Sequence, residues 1–295
     1  MGPTGSGKSA LALAIAAQQP AVIINADAMQ MVEALRVITA RPSVEEEAAA
    51  EHALYGVLRV DELTHVGRWL ALVEPVVRRA WAEGKLPLLV GGTGMYIQSL
   101  KQGLAAIPPV PETVRESLRG VAADEVRAQL EARDPAMAAK LKPGDSQRNL
   151  RALEVLEATG KSLAWWQGQG HVPLFPETKF HEFYIKIDKP VLYPRLDARF
   201  LQMMDMGALE EVRALMAMPG ALEKPIGHAH GVPELAAHLR DEVGLEEAVV
   251  KAQQNTRNYA KRQHTWIRNQ MAHATALSGH ADAMLRRFRE AIAVR

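Results

Sequence analysis

The chain has 295 residues, 48% hydrophobic and 23% charged, with a formal net charge of +1, a profile that fits one large globular core plus an insertion. The absence of cysteine excludes disulfides, thiolate metal ligands and thiol nucleophiles. No apolar run reaches the length of a membrane span and no signal-peptide pattern opens the chain, so a cytoplasmic protein without membrane association is expected.

Gly2-Pro-Thr-Gly-Ser-Gly-Lys8-Ser9 matches G-x-x-x-x-G-K-[ST], the loop of ATP-binding proteins. It leads into an amphipathic helical pattern, Ser9-Ala-Leu-Ala-Leu-Ala-Ile-Ala. Glycines let backbone N–H groups curl around phosphate oxygens, and the following helix turns its positive end toward them. Lys8 adds a point charge, and the Ser9 hydroxyl suits Mg²⁺. Gly2, Pro3, Thr4, Gly5, Ser6, Gly7, Lys8 and Ser9 are therefore the expected phosphate cradle. The motif implies phosphate binding, not ATP hydrolysis. Met1 stands directly before Gly2, so the strand that ordinarily feeds such a loop is expected to be missing or replaced.

Ala21-Val-Ile-Ile-Asn-Ala-Asp27 is short, apolar and β-branched, as a buried parallel strand should be. Residues 66–83 read as a helix, and Lys85-Leu-Pro-Leu-Leu-Val-Gly-Gly-Thr93 as a second strand ending in a glycine turn. Ile107-Pro-Pro-Val-Pro111 has linker composition. Residues 112–140 read as short helices broken at Asp134-Pro135, and Phe180–Asp188 as a third strand. Residues 190–219 and 245–270 read as helices. Strands separated by helices predict an α/β fold, a mostly parallel sheet flanked by helices. The expected organisation is a P-loop NTPase-like core over 1–107 and 146–295, interrupted by a helical insertion at 108–145.

From Lys251 onward there are nine basic residues (Lys251, Arg257, Lys261, Arg262, Arg268, Arg286, Arg287, Arg289 and Arg295) against Asp282 and Glu290. Such an end attracts a phosphate backbone, or is simply a solvated helix face.

Beyond the phosphate loop, six segments in order resemble the tRNA dimethylallyltransferase (isopentenyl-tRNA transferase) family. They are Gly2–Ser9, Asn25-Ala-Asp27-Ala-Met-Gln30, Val90-Gly-Gly-Thr93-Gly-Met-Tyr96, Asp145-Ser-Gln147-Arg148-Asn-Leu-Arg151-Ala-Leu-Glu154, Arg199-Phe-Leu-Gln-Met-Met-Asp-Met-Gly207-Ala-Leu-Glu-Glu211-Val, and Tyr259-Ala-Lys261-Arg262-Gln263-His-Thr265-Trp266. The departures are Ala28 for the family's Ser, Val32 for a Tyr, Val37-Ile-Thr-Ala-Arg41-Pro42 for I-G-T-A-K-P, and Gly231-Val-Pro-Glu234 after an unusual Gly227-His-Ala-His-Gly231.

The resemblance implies a monomeric enzyme that moves a five-carbon isoprenoid from dimethylallyl diphosphate to an adenosine amine beside the tRNA anticodon, with Mg²⁺. It implies Asp27 as base, Thr93 beside it and Arg199 at the leaving group. Asp27, Ala28, Met29, Gln30, Thr93, Arg115, Gln147, Arg148, Asn149, Leu150 and Arg151 become the expected contacts to the anticodon stem-loop, with the helical insertion also on tRNA. Each residue has a plainer reading. Asp27 suits a magnesium site or strand-end cap, Thr93 a helix cap, and Arg199 a surface charge. Gln147, Arg148 and Arg151 suit a salt-bridged face with Glu154. For Trp165, Trp166, Tyr259 and Trp266 packing is the default, and His228 with His230 lacks a third metal ligand. Prenylation of free nucleotides, small-molecule kinase activity and silent RNA binding are the competing functions.

Overall fold

The computed structural model describes residues 1–62 and 64–293; Arg295, the last of the basic residues, lies outside them. Two compact units emerge, Met1–Ser99 with Glu177–Arg295, and Leu100–Pro176.

The first unit begins with helix α1 (Lys8–Ala16), strand β1 (Ala21–Asn25), α2 (Val44–Ala49), β2 (Glu51–Ala53), α3 (Val66–Ala82), β3 (Leu86–Val90) and α4 (Gly94–Gln102), which runs on into the second unit. The strands form one parallel sheet in the order β2-β1-β3. Val22, Ile23 and Ile24 of the central strand are fully enclosed, which is why β1 is uniformly apolar and does not alternate. Pro87 lies in β3, a sheet edge, where its missing N–H is tolerated. Trp69 and Val73 of α3 are completely buried. Trp69 stacks on Tyr96 with centroids 4.8 Å apart, and its indole N–H donates to the Asn25 carbonyl at 2.8 Å.

The second unit contains β4 (Leu104–Ala105), α5 (Glu112–Leu118), α6 (Ala123–Arg133), α7 (Pro135–Lys140), α8 (Ser146–Thr159), α9 (Leu163–Gly168) and β5 (His171–Val172). The chain breaks at Asp134-Pro135 as expected, and Asp134 caps the next helix through the N–H of Met137 at 3.0 Å. This unit is wider than the insertion of 108–145 inferred from composition. Leu118, Val126 and Leu153 form one apolar cluster, so α8 packs with α5 and α6 and belongs with them. Sequence composition marked the proline-rich entrance but not this tertiary partner.

The first unit resumes with β6 (Phe183–Ile185), α10 (Lys189–Asp205), α11 (Ala208–Met216), α12 (Val232–Leu239), α13 (Leu245–Gln270), β7 (Thr275–Leu277) and α14 (Ala281–Ala293). The expected strand at 180–188 is shorter than read, and it pairs in parallel with β7. Leu11 and Ile15 of α1 share a core with Ile185, Leu277 and Phe288. Met1 donates its N–H to Phe183 O (2.8 Å) and accepts from Ile185 N (3.0 Å), the two bonds of a parallel ladder, immediately before the glycine loop. A second core joins α10, α11 and α12 to the segment 32–38. There Glu211 accepts the backbone N–H groups of Arg36, Val37 and Ile38 at 2.7–3.0 Å, which gives the E-V pair of the α11 pattern its physical purpose. Val32, one of the departures, is an apolar member of this core.

Candidate active site

The loop Gly2–Ser9 adopts the shape its composition demands. Gly5 and Gly7 sit at φ +71° and +91°, left-handed conformations that cost little only for glycine. Ser6 N donates to Pro3 O at 3.2 Å, and Gly7 becomes the N-cap of α1. A side chain at Gly5 is excluded twice, because its Cβ would also lie 2.5 Å from Leu196 Cδ2 of α10. Lys8 folds back across the loop, its Nζ 2.8 Å from Pro3 O.

Parallel register places the next groups. Asn25 pairs with Val90, so the residues leaving the two strand ends, Asp27 from β1 and Gly91-Gly92-Thr93 from β3, emerge side by side. Ala26 N donates to Val90 O (2.8 Å), and Thr93 N to Ala26 O (3.2 Å). Gly91 has no alternative, since a Cβ there would meet Ala26 O at 2.1 Å. Asn25 is completely buried and braces the turn into Asp27: its amide donates to Asp27 O and Leu54 O, and its Oδ1 accepts the Asp27 N–H at 2.8 Å. Asp27 Oδ1 in turn accepts the N–H of Met29 at 3.0 Å. Thr93 Oγ accepts the Ala28 N–H at 3.3 Å, a backbone bond that the change from Ser to Ala leaves untouched.

Helix α13 ties these two turns together. Gln263 accepts the Thr4 N–H at 2.7 Å and donates to Gly92 O at 3.2 Å, linking the glycine loop to the β3 turn. A Cβ on Gly92 would lie 2.1 Å from the Gln263 amide, and one on Gly94 would lie 2.3 Å from the Trp266 ring. The glycines of one motif therefore fit the side chains of another, some 170 residues later.

Together these elements surround a cavity of about 400 Å³. Lys8, Ser9, Asp27, Gln30 and Arg199 line it, with Tyr55 and Tyr259 on its wall. Burial lowers the Lys8 ammonium to about 8, against the pull of Asp27 and with Arg199 adding to the drop. The Asp27 carboxyl moves the other way: enclosure raises it above the usual range, opposed by the Met29 N–H, by Lys8 and by the Gln30 N–H. Burial also lowers Arg199, against Glu46, but a guanidinium stays charged at neutral pH. Tyr55 and Tyr259 are pushed up by burial and then by Asp27, so both remain neutral hydroxyls.

Thr4, Gly5, Gly7, Lys8, Ser9, Asp27 and Arg199 thus border one cavity within one unit, whereas Gly2, Pro3, Ser6 and Thr93 do not line it, Thr93 holding the turn after Asp27 through the Ala28 N–H. Met29 and Gln30 also border the cavity, and the Gln30 amide donates to Thr39 O and Ala40 O, both at 2.9 Å. Tyr259 differs from the core packing expected of it. It faces the cavity and lies against His230, centroids 4.5 Å apart. Asn25 and Gln263 stand in two of the family-like segments without an assigned role, and Tyr55 stands in none of them. A polar residue ending an apolar strand, and a glutamine inside a basic helix motif, were their available signals. No group of three metal-ligating side chains occurs among the described residues, and burial followed by Arg262 lowers His230, against Glu234.

The remaining expected contacts lie in the second unit. On α8 the helical period turns Gln147 and Arg148 outward, while Arg148 pairs with Asp145 at 3.3 Å and Arg151 with Glu154 at 3.2 Å. Arg115 pairs with Glu112 at 3.7 Å. Asn149 and Leu150 depart from the reading as RNA contacts because they occupy the inward face. Asn149 is fully buried, donating to the carbonyls of Lys142, Pro143 and Asp145 and accepting from Arg127. Leu150 packs on the cluster of Leu118, Val126 and Leu153. Trp165 is partly exposed beneath the Lys161 ammonium, 3.6 Å from its ring centroid, and Trp166 bonds Thr159.

Comparison with known proteins matches a family model described as IPP transferase to residues 30–270, and one described as isopentenyl transferase to residues 1–55. The chain belongs to the IPP transferase family. Its relatives include the tRNA dimethylallyltransferase of Rhodospirillum centenum, 48% identical over 277 residues, covering 92% of this chain and 88% of that protein. The tRNA dimethylallyltransferase of Rhodospirillum rubrum is 49% identical over 284 residues, covering 94% and 86%. Among solved structures, the tRNA delta(2)-isopentenylpyrophosphate transferase of Staphylococcus epidermidis superposes with a TM-score of 0.72 at 28% identity, covering 100% of this chain and 98% of that one. A eukaryotic dimethylallyltransferase acting on tRNA gives 0.79 at 25% identity, covering 94% and 72%. Among the described residues no helix is long and apolar enough to cross a membrane.

Proposed function

We propose that this chain transfers a dimethylallyl group from dimethylallyl diphosphate to the exocyclic amine of the adenosine 3′-adjacent to the tRNA anticodon, releasing diphosphate. The observation that carries this reading is one cavity holding two cations, Lys8 and Arg199, together with an enclosed carboxylate, Asp27. Departure of diphosphate builds negative charge on the bridging oxygen and positive charge on the allylic carbon. Lys8, the loop N–H groups and Arg199 are preorganised for the first of these. The adenine nitrogen forms its bond to that carbon as the carbon–oxygen bond breaks, and the oxygen keeps the electron pair. Asp27 receives the proton that the amine loses. Its raised carboxyl brings it closer to the operating pH, where a general base is most effective. Thr93 holds the turn after Asp27 through the Ala28 N–H.

In this reading the Gly2–Ser9 loop is the P-loop of an NTPase-like core. The Ser9 hydroxyl on the cavity wall fits Mg²⁺, which takes few protein oxygens and keeps water and phosphate as its other ligands. That ion, when bound, would neutralise diphosphate charge. An adenine within a stacked anticodon loop is out of reach, so the base must leave the stack to enter the cavity. Gln30 would meet it there. Gln147, Arg148, Arg151 and Arg115 would hold the anticodon stem-loop from the second unit, where base and sugar contacts read single-stranded RNA. Purified protein with Mg²⁺, labelled dimethylallyl diphosphate and unmodified tRNA should incorporate label into RNA, with AMP a far poorer acceptor and no phosphate transfer from ATP. Folded protein that labels only AMP, or that labels nothing, contradicts the reading.

A further inference from the structure

Building on the prenyl-transfer reading, we propose that Phe200 of α10 is the end-stop that restricts the donor to a five-carbon chain and rejects the ten-carbon isoprenyl diphosphate.

The diphosphate end of any donor is fixed by the glycine loop, and α10 starts its apolar track there: Leu196 Cδ2 lies 2.5 Å from where a Cβ on Gly5 would be. From this anchor the helix presents Arg199, then Phe200 and then Met203 to the same cavity. Four and seven residues of helix are about 6 Å and 10 Å of rise. An extended dimethylallyl chain reaches about 5 Å from its oxygen and a geranyl chain about 10 Å, at single-bond lengths near 1.5 Å. The shorter donor therefore ends at Phe200, and the longer one must pass through the space its ring fills.

The ring cannot withdraw. Phe200 is 3% exposed and belongs to the core of α11 and α12. A Cβ on Gly231, itself at φ +99°, would lie 2.8 Å from both Phe200 Cε2 and Ile38 Cδ1, so backbone and Ile38 already stand close behind the ring. Interiors this close-packed do not shift by the width of an isoprene unit. Each excess methylene in a closed apolar pocket costs about 10- to 200-fold in specificity. Truncating Phe200 opens the track toward Met203.

The test measures kcat/KM for dimethylallyl and geranyl diphosphate on the same tRNA, with wild type, Phe200→Leu, Phe200→Ala and, as a more distal control, Met203→Ala. Wild type should prefer the shorter donor by about 100-fold or more. Phe200→Ala should lower that preference at least about tenfold, Phe200→Leu less, and Met203→Ala least, because the ring stands before it. Circular dichroism and dimethylallyl transfer by each variant establish that the site is formed. If Phe200→Ala does not fold, Phe200→Leu decides. A folded, dimethylallyl-active Phe200 variant with unchanged donor preference overturns the end-stop, as does a wild type that uses both donors equally. Failure of wild type to transfer any prenyl group to tRNA instead overturns the underlying reading.

Discussion

Replacing Gln263 with alanine should loosen both halves of the site at once. Its amide accepts the Thr4 N–H at 2.7 Å and donates to Gly92 O at 3.2 Å, from a side chain that is 7% exposed. Each bond contributes about 1 kcal/mol net, and leaving Thr4 N–H and Gly92 O unpaired in a half-enclosed place adds to the loss. A total of about 2–3 kcal/mol follows, or roughly 5 °C in Tm for a domain of this size. Catalysis should suffer more than stability. The glycine loop and the turn beside Asp27 would no longer be fixed to one another, and a misplacement of about 1 Å at reacting groups costs on the order of 100-fold. Gln263→Glu separates the two bonds. Its carboxylate still accepts from Thr4, loses the donation to Gly92 and sets a like charge beside the diphosphate, so donor KM should rise more steeply than in the alanine variant. Thermal unfolding and steady-state kinetics with each substrate varied are the measurements. An alanine variant with wild-type Tm and wild-type kcat/KM for both substrates would refute the clamp.

Asp27→Asn should lower transfer about 10²- to 10⁴-fold while binding of donor and tRNA persists, and, by removing an enclosed charge, should stabilise the fold by about 1 kcal/mol. A drop in unfolding midpoint would contradict the burial argument. The pH profile of kcat/KM for donor should be bell-shaped. Activity appears as Asp27 loses its proton above the ordinary carboxylate range, and fades as Lys8 loses its own near 8. Linkage gives the stability signs. The folded chain holds the Asp27 proton to higher pH than the unfolded chain, so this group's contribution falls as pH rises from 3.8 through its raised value. Lys8 releases its proton earlier when folded, so its contribution grows between about 8 and 10.5. Gly94→Ala should destabilise by about 1–3 kcal/mol through the Trp266 ring, and Trp266→Leu in the same chain should recover part of that; additive losses would show the contact is relieved elsewhere. Glu211→Ala leaves three backbone N–H groups without their acceptor and should cost about 2–4 kcal/mol, read by urea denaturation, with Glu211→Gln costing less.

Local chemistry wrote much of this protein into its sequence. The loop Gly2–Ser9 was legible because only glycine adopts its backbone and only Lys8-Ser9 completes its charge. Strand β1 was legible from its unbroken apolar run, and α3, α10 and α13 from their helical periods. Asp27 and Thr93 were legible as strand-end residues in family-like motifs. What the sequence did not reveal depends on partners distant in the chain. The insertion widened to Leu100–Pro176 because α8 buries its apolar face on α5 and α6, a choice that no local composition records. Asn149 and Leu150 turned inward for the same reason, since periodicity gives a helix two faces but not which one is covered. Tyr259 carries the pattern of a core residue, yet the glycine loop and α10 leave a cavity in front of it. Gln263 and Trp266 acquire meaning only beside Gly92 and Gly94, when the register of β1 on β3 and the packing of α13 bring them into contact. The sequence determined which groups can bind phosphate and accept a proton, because that follows from residue type. The tertiary structure decided which of them share one enclosed space, because proximity is set by long-range packing.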